Sequence, residues 1–338
     1  TRMIERLIIE LQKPEAYPHK TTSIKVVQTH ISVVFLTGEF AYKICKPVKL
    51  SFLDFSTLEK RKHCCEQEVA FNSLLSPELY MGVTEIREHN NIIAIDGTQG
   101  DIIEYAIKMK QFSQNMILSR LLLRNKVPEH IIRELTQKIM EFHRHAPCSP
   151  EITRWGNWES ISQNWHDLFT TTLKYKPHLL SEKNYTLIKN KIDTFLTENK
   201  DLFEQRMADG KIKHCHGDLH PGNITLQGEN ILIFDGIVFN EQFSSCDVLS
   251  DLSFLLMDLE FYNKPQFSLL VEREYFQHNP QDNIPDLLLF YKCHKAFVRG
   301  MVNGIMTEDN NIPASKQTLA KRRSRRYFKL ARIYAENL

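Results

Sequence analysis

His216-Gly217-Asp218-Leu219-His220-Pro221-Gly222-Asn223, and shortly after it Ile231-Leu232-Ile233-Phe234-Asp235-Gly236, is the stretch on which the reading of this chain turns. Asp218 stands five residues before Asn223, and Pro221-Gly222 between them compels a tight turn. Proline presets one backbone angle, and glycine accepts conformations that other residues avoid. Such a turn brings the Asn223 amide back toward the Asp218 carboxylate. The apolar run from Ile231 to Phe234 reads as a short buried strand that delivers Asp235 at its end. Polar groups concentrated on loops between rigid elements mark the place where function is expected.

Outward from this stretch the chain falls into two regimes. From Ile24 to Ile44, apolar and polar residues alternate through Ile24-Lys-Val-Val, Ile31-Ser-Val-Val-Phe-Leu and Phe40-Ala-Tyr-Lys43-Ile44, with a turn at Thr37-Gly38-Glu39. That pattern predicts two or three short antiparallel strands. Ser56 and Glu59 have the spacing of a capping box, so a helix is expected over residues 57 to 75, ended by Ser76-Pro77. Further strands are expected around Asn91 to Ile95 and Ile102 to Met109, and helical periodicity prevails from Phe112 onward except between Lys213 and Phe239. A chain of 338 residues exceeds the usual single core, so two lobes are expected, residues 1 to 108 and 109 to 338.

Phosphoryl transfer needs a carboxylate to orient an acceptor hydroxyl, oxygen ligands for Mg²⁺ and cations on the phosphates. Asp218 and Asn223 have the spacing of the loop H-R-D-x-x-x-x-N, with His216 in the place of its histidine. Lys43 ends a strand that parallels V-A-I-K and would set an ammonium against the α- and β-phosphates. Its expected partner is Glu68, where the following helix turns apolar, with Glu66 as the alternative. Asp251, in the helix opened by Asp247-Val-Leu-Ser-Asp251-Leu, is expected to accept backbone N–H bonds from the Asp218 loop.

Taken together these residues resemble the aminoglycoside phosphotransferase family of kinase-like enzymes, whose hallmark is H-G-D-x-x-x-x-N followed by a strand ending in Asp. Thr29-His-Ile-Ser-Val-Val-Phe-Leu-Thr-Gly, Tyr42-Lys43-Ile-Cys-Lys-Pro47, Phe52-Leu-Asp-Phe-Ser-Thr-Leu-Glu59 and Asp247-Val-Leu-Ser-Asp251-Leu are similar to a bacterial branch of it. Many members of that branch continue into a P-loop ATPase domain. No GxxxxGK[ST] occurs here, so that domain is expected to be absent or removed, and a P-loop ATPase domain or protein becomes an expected partner. The resemblance covers nearly the whole chain and is weakest over residues 150 to 205 and 265 to 290.

The resemblance implies an α+β, protein-kinase-like two-lobed fold: a small β-rich N-lobe with one main helix and a larger, mainly helical C-lobe. It implies ATP and Mg as cofactors, Asp218 as the catalytic carboxylate, Asn223 and Asp235 as metal ligands, Lys43 and Glu68 at the phosphates, and His216 and Asp251 as supports of the loop. Adenine is expected at the backbone of Met109, Lys110 and Gln111. Two departures stand out. Gln28-Thr29-His30-Ile31-Ser32 replaces a glycine-rich loop, which shifts phosphate contacts toward side chains such as His30, and Asp235-Gly236-Ile237 replaces D-F-G. The expected function is ATP- and Mg-dependent transfer of the γ-phosphoryl group to a hydroxyl of a small-molecule acceptor. Protein Ser/Thr kinase activity on the same scaffold and a non-catalytic nucleotide-binding regulatory module are the alternatives.

Composition narrows the rest. Lys and Arg number 43 against 41 Asp and Glu, a net charge of +2, so wholesale binding of nucleic acid or anionic membrane finds no support. Lys321 to Arg326 reads as a solvated helix face. The 7 cysteines show no CxxC spacing, no apolar run approaches bilayer length, and a cytoplasmic setting is expected. His214-Cys-His216-Gly-Asp218-Leu-His220 misses a hydrolase metal run by one residue. In it Cys215 reads as a small buried filler and His220 as a solvent-facing or substrate-side group. Trp155, Trp158, Trp165 and Phe169 follow a helical spacing that favours core packing. Lys292, Lys295 and Arg299 admit two readings equally: an anion-binding face, or solvated charge.

Overall fold

The structure, a computed structural model, describes residues 2–29, 31–50, 53–175, 178–308 and 313–338. His30 and Phe52 lie outside the described residues. The chain divides into two compact units, Thr1–Ile117 with Ile224–Asn240, and Leu118–Asn223 with Glu241–Leu338.

In the first unit, helix α1 (Arg2–Glu10) precedes strands β1 (Lys25–Gln28), β2 (Ser32–Leu36) and β3 (Phe40–Cys45), the alternating stretch of the sequence. A two-strand ribbon, β4 (Lys49–Leu50) and β5 (Leu53–Asp54), leads into α2 (Leu58–Asn72). The cap of α2 is Thr57, whose hydroxyl accepts the Lys60 N–H, one residue later than the capping box expected. Ser56 instead donates its hydroxyl to Asp54 at 2.5 Å. Strands β6 (Tyr80–His89), β7 (Ile92–Ile95) and β8 (Asp101–Lys110) complete an antiparallel sheet of order β1-β2-β3-β8-β6-β7. The lobe boundary expected at residue 108 falls inside β8.

Both faces of this sheet are buried, because side chains alternate along each strand. Tyr42 and Ile44 of β3 join Leu7 and Leu11 of α1 in one core, while Cys45 faces Cys64 and Cys65 of α2 in the other. Arg61 anchors α2 on β8 through both oxygens of Glu104, at 3.0 and 2.8 Å. The antiparallel hairpin of β10 (Ile224–Gln227) and β11 (Asn230–Ile233) also belongs to this unit, with Leu232 in the α2-side core.

The second unit is mostly helical: α3 (Leu118–Leu123), α4 (Glu129–His145), α5 (Pro150–Thr153), α6 (Trp158–Thr172), α7 (Glu182–Glu198), α8 (Lys200–Ala208), α9 (Glu241–Ser244), α10 (Val248–Phe261), α11 (Pro265–His278), α12 (Pro285–Met306) and α13 (Ala314–Glu336). One antiparallel pair, β9 (Ile212–His214) with β12 (Ser245–Asp247), interrupts them. Trp165 stacks on Phe169, and both rings meet Phe297 of α12, which places this aromatic pair in the core. Helix α10 is buried almost throughout, so its polar residues need internal partners. Asp247, its cap, accepts the Leu249 N–H at 2.9 Å and both arms of Arg206, at 2.8 and 2.6 Å. Arg206 also reaches Asp282 at 2.5 Å, and Lys211 closes on the same carboxylate at 3.0 Å. Of the basic run on α13, Lys321, Arg322, Arg325 and Arg326 are exposed. Among the described residues no helix is long and apolar enough to cross a membrane.

Removing Arg206 would leave two buried carboxylates undercompensated. Arg206→Met is expected to cost about 3–5 kcal/mol of stability, read by urea unfolding; a loss of under about 1 kcal/mol would show that the network does not hold α8 and α10 together.

Candidate active site

Alternation along β3 turns Lys43 to the side opposite Tyr42 and Ile44, which is the side α2 covers. There its ammonium lies 2.8 Å from Glu68 and 2.5 Å from Asp235. Glu66 points elsewhere, exposed and 3.8 Å from Lys62. Burial works against charge on Lys43, but Asp235 and Glu68 outweigh it and hold the amine well above its usual range. Burial likewise pushes the Glu68 carboxyl up, only partly offset by Lys43 and reinforced by Asp235, to about 7. Two carboxylates, one buried and one half-exposed, thus share one buried cation.

Asp235 reaches this position through a strained but anchored backbone. Its φ is +64°, in the left-handed region that Asp tolerates better than most residues. Ser76 clamps the preceding strand, donating its hydroxyl to the Ile233 carbonyl and accepting the Ile233 N–H, each at 2.9 Å. The Asp235 N–H donates to the Tyr80 hydroxyl at 3.1 Å, and the Gly236 N–H to the Asn72 side-chain oxygen at 2.8 Å. A Cβ at position 236 would meet the Phe71 ring at 2.6 Å, so only glycine fits after Asp235. The Asp235 side chain remains 50% exposed, with one oxygen on Lys43 and room at the other.

The segment assigned to adenine is more occupied than the sequence suggested. The Lys110 N–H donates to the Leu79 carbonyl and the Gln111 N–H to the Glu39 carbonyl, both at 2.9 Å. The Gln111 side chain accepts the Gly38 N–H at 2.9 Å, and Met109 packs in the α2-side core. Those two N–H groups are therefore spent within the sheet. Phe112 packs against Phe234 with the rings tilted and their centres 4.9 Å apart.

In the second unit the loop from His216 to Asn223 closes on itself. Asn223 donates its amide to the Asp218 carbonyl at 3.0 Å and to the Asp218 carboxylate Oδ2 at 2.9 Å. His220 is buried rather than solvent-facing, packed against Phe254 with ring centres 5.2 Å apart. Its Nδ1 accepts the Gly222 N–H at 3.0 Å, so its Nε2 carries the proton and faces Asp218 Oδ2 at 3.3 Å. Gly222 must be glycine, since a Cβ there would meet this imidazole at 2.6 Å. Burial opposes ionisation of Asp218, but His220, Arg299 and His216 outweigh it and hold the carboxyl well below the usual carboxylate range. Its other oxygen, Oδ1, has no hydrogen bond among the described residues, and the side chain is 37% exposed.

Beneath the loop, the fully buried Asp251 accepts the His216 N–H at 3.2 Å and the Gly217 N–H at 2.9 Å. His143 of α4 adds its Nε2 to the same carboxylate at 3.0 Å and is itself held by the Tyr275 hydroxyl at 3.0 Å. His143, Cys215 and Asp251 come within 4.8 Å of one another, but the aspartate's oxygens are committed to these bonds, and the trio is a brace. His143 and the ion-paired role of Asp247 had no signal in the sequence: both depend on elements far apart along the chain. The helical spacing of Lys292, Lys295 and Arg299 was visible, and the structure separates them. Lys292 is neutralised by Glu260 at 2.5 Å, whereas Lys295 and Arg299 are not so paired.

No protein-family profile matches the chain. An uncharacterized protein of Mycobacterium tuberculosis and one of Mycobacterium bovis are each 25% identical over 279 residues, 82% of this chain and 54% of theirs. The chain thus spans about half the length of the curated relatives it matches. Among solved structures, a choline kinase from Cryptosporidium parvum is similar over 100% of this chain and 97% of its own, at 11% identity and a TM-score of 0.55. A choline/ethanolamine kinase family protein from Mesorhizobium loti is similar over 98% of this chain and 100% of its own, at 13% identity and a TM-score of 0.51. These likenesses show the fold: a β-sheet N-lobe and a helical C-lobe of the kinase-like α+β type.

Proposed function

We propose that this chain is an ATP- and Mg²⁺-dependent phosphotransferase of the aminoglycoside phosphotransferase type, moving the γ-phosphoryl group to a hydroxyl of a small molecule. The observation that carries this reading is Asp218: an ionised carboxylate whose Oδ2 is held by Asn223 and His220 while Oδ1 stays open. The names of the similar structures, choline and choline/ethanolamine kinases, support a small alcohol as acceptor.

The residues present suit a magnesium ion. Asn223 spends its amide nitrogen on Asp218, which leaves the side-chain carbonyl oxygen as a donor, and Asp235 has a half-exposed carboxylate; both are hard oxygen donors of the kind Mg²⁺ takes. The cluster of Lys43, Glu68 and Asp235 carries one more carboxylate than cations, and a divalent ion would supply the missing charge. Bound there, the ion would neutralise phosphate charge as it develops.

The roles of the chain's own groups follow from their hydrogen bonds. Asp218 Oδ1 accepts the hydrogen of the acceptor hydroxyl and aims its oxygen at the γ-phosphorus, and the proton passes to the carboxylate as the new O–P bond forms and the bond to the ADP oxygen breaks. His220 and Asn223 keep the carboxylate from rotating. Lys43, held by Glu68, places its charge on the α- and β-phosphates. The first unit would hold the nucleotide and the second the acceptor.

Two measurements test these assignments. Asp218→Asn is expected to lower phosphoryl transfer by about 10²–10⁴-fold while the Kd for MgATP changes little, as followed by calorimetry and an ADP-release assay. Transfer at the wild-type rate in that variant would remove Asp218 from the mechanism. Glu68 gives a pH signature: its raised pKa means that its share of stability is full below about 4.5 and is lost as pH rises through about 7. Asp235→Asn removes a neighbouring negative charge and should return the Glu68 titration, seen by side-chain carboxyl ¹³C NMR, toward the usual carboxylate range; an unchanged midpoint would show that Asp235 does not create the charge deficit.

A further inference from the structure

Two cations in the second unit have no assigned role. Lys295 and Arg299 lie four residues apart on α12, on one face of the helix, and that face packs on α10. Lys295 is only 7% exposed, yet among the described residues its ammonium has neither an ion pair nor a hydrogen bond. It sits over the Phe254 ring at 5.3 Å, the same ring that supports His220 from 5.2 Å, so Phe254 links Lys295 to the residue holding Asp218. Arg299 lies 5.5 Å from the Tyr327 ring centre and hydrogen-bonds Tyr327, but its buried Nε has no hydrogen-bond partner among the described residues. The guanidinium is close enough to be one of the charges that hold Asp218 ionised.

Among the described residues no carboxylate forms an ion pair with either cation, although Asp258 and Asp218 both favour the charged form of Arg299. Asp251 is committed to His143 and two loop amides, and Asp258 accepts the Tyr327 hydroxyl at 2.6 Å. Neither forms an ion pair with Lys295 or Arg299 among the described residues, in contrast to Lys292, which Glu260 neutralises at 2.5 Å. A nearly buried, unpaired cation is costly, and it persists where an anion completes it. Lys295 on the Phe254 ring and the half-buried Arg299 near Asp218 together set what the rest of the acceptor carries. Aminoglycosides and choline-like alcohols are cationic and would be repelled here.

We propose that Lys295 and Arg299 form an anion-binding subsite, so that the acceptor is a small hydroxyl compound bearing a carboxylate or phosphate group. This inference rests on the phosphotransferase reading of Asp218. The test uses matched acceptors that share one hydroxyl-bearing chain and end in a carboxylate, a phosphate, a neutral group or an ammonium, assayed for MgATP-dependent transfer with the whole chain. The expected result is a kcat/KM at least about ten-fold higher for an anionic member than for its neutral and cationic counterparts, the carboxylate and phosphate arms showing which anion is used. Lys295→Met and Arg299→Met should each raise KM for that acceptor about ten-fold or more with a smaller change in kcat, and Lys295→Arg should recover most of the loss, which a purely structural lysine would not show. Preference for a neutral or cationic member, or an anion preference that survives both substitutions, overturns the proposal while leaving the phosphotransferase reading intact. Absence of any MgATP consumption or binding overturns that reading instead. The subsite is then decided by binding of inorganic phosphate, followed by NMR shifts: binding that the two methionine variants abolish upholds it, and no binding, or binding unchanged in both, rejects it.

Discussion

A single buried carboxylate holds the loop on which the rest of this site is built. Asp251 has no exposed surface, and an ionised group in such a place survives only when both its oxygens are hydrogen-bonded. It meets that condition by drawing in the His216 and Gly217 amides from the loop and His143 from α4. The dependence runs both ways, since the loop cannot leave without stranding a buried charge. A sharp turn at Pro221-Gly222 then becomes a fixed platform, and the short reach from Asn223 to Asp218 is maintained by the helix beneath as much as by the turn itself. Residues with no contact to a substrate thereby set the precision of those that would have one.

The first unit solves a related problem by a different route. Lys43, Glu68 and Asp235 come from a strand, a helix and the end of a hairpin, and no local sequence preference joins them. What joins them is the two-sided sheet: alternation along β3 sends Lys43 to the helix-covered face, and Ser76 pins the hairpin so that Asp235 arrives beside it. The positive φ of Asp235 is the local cost of aiming that carboxylate, and Tyr80 and Asn72 offset it through the adjoining amides.

Much of this was legible in the chain, because it depends on short-range patterns. Period-two alternation marked β1 to β3, the stretch from Ser56 marked α2 within one residue of its cap, and the spacing of Asp218, Asn223 and Asp235 marked the loop and hairpin. Strand β6 escaped notice, because its run from Tyr80 to His89 mixes glycine and charged residues and becomes a strand by pairing with β7 and β8. Helix α1 was missed for lack of a start signal. His143 and the Arg206 network were invisible for another reason: a buried ion partner is chosen by three-dimensional proximity, and sequence offers no period for it. The solvent-facing reading of His220 fails because Phe254 covers the ring, a contact made across the fold.

The hairpin of β10 and β11 belongs to the first unit, although it follows the loop of the second. The chain therefore passes between units after residues 117, 223 and 240, and neither unit is one continuous stretch. During synthesis the first unit cannot complete its core until Leu232 has emerged, long after its sheet strands have been made. Most of the helical chain through α8 is produced in that interval. The strand leading to Asp235 thus works as a late closing stitch, and the two halves of the chain must mature together rather than in succession.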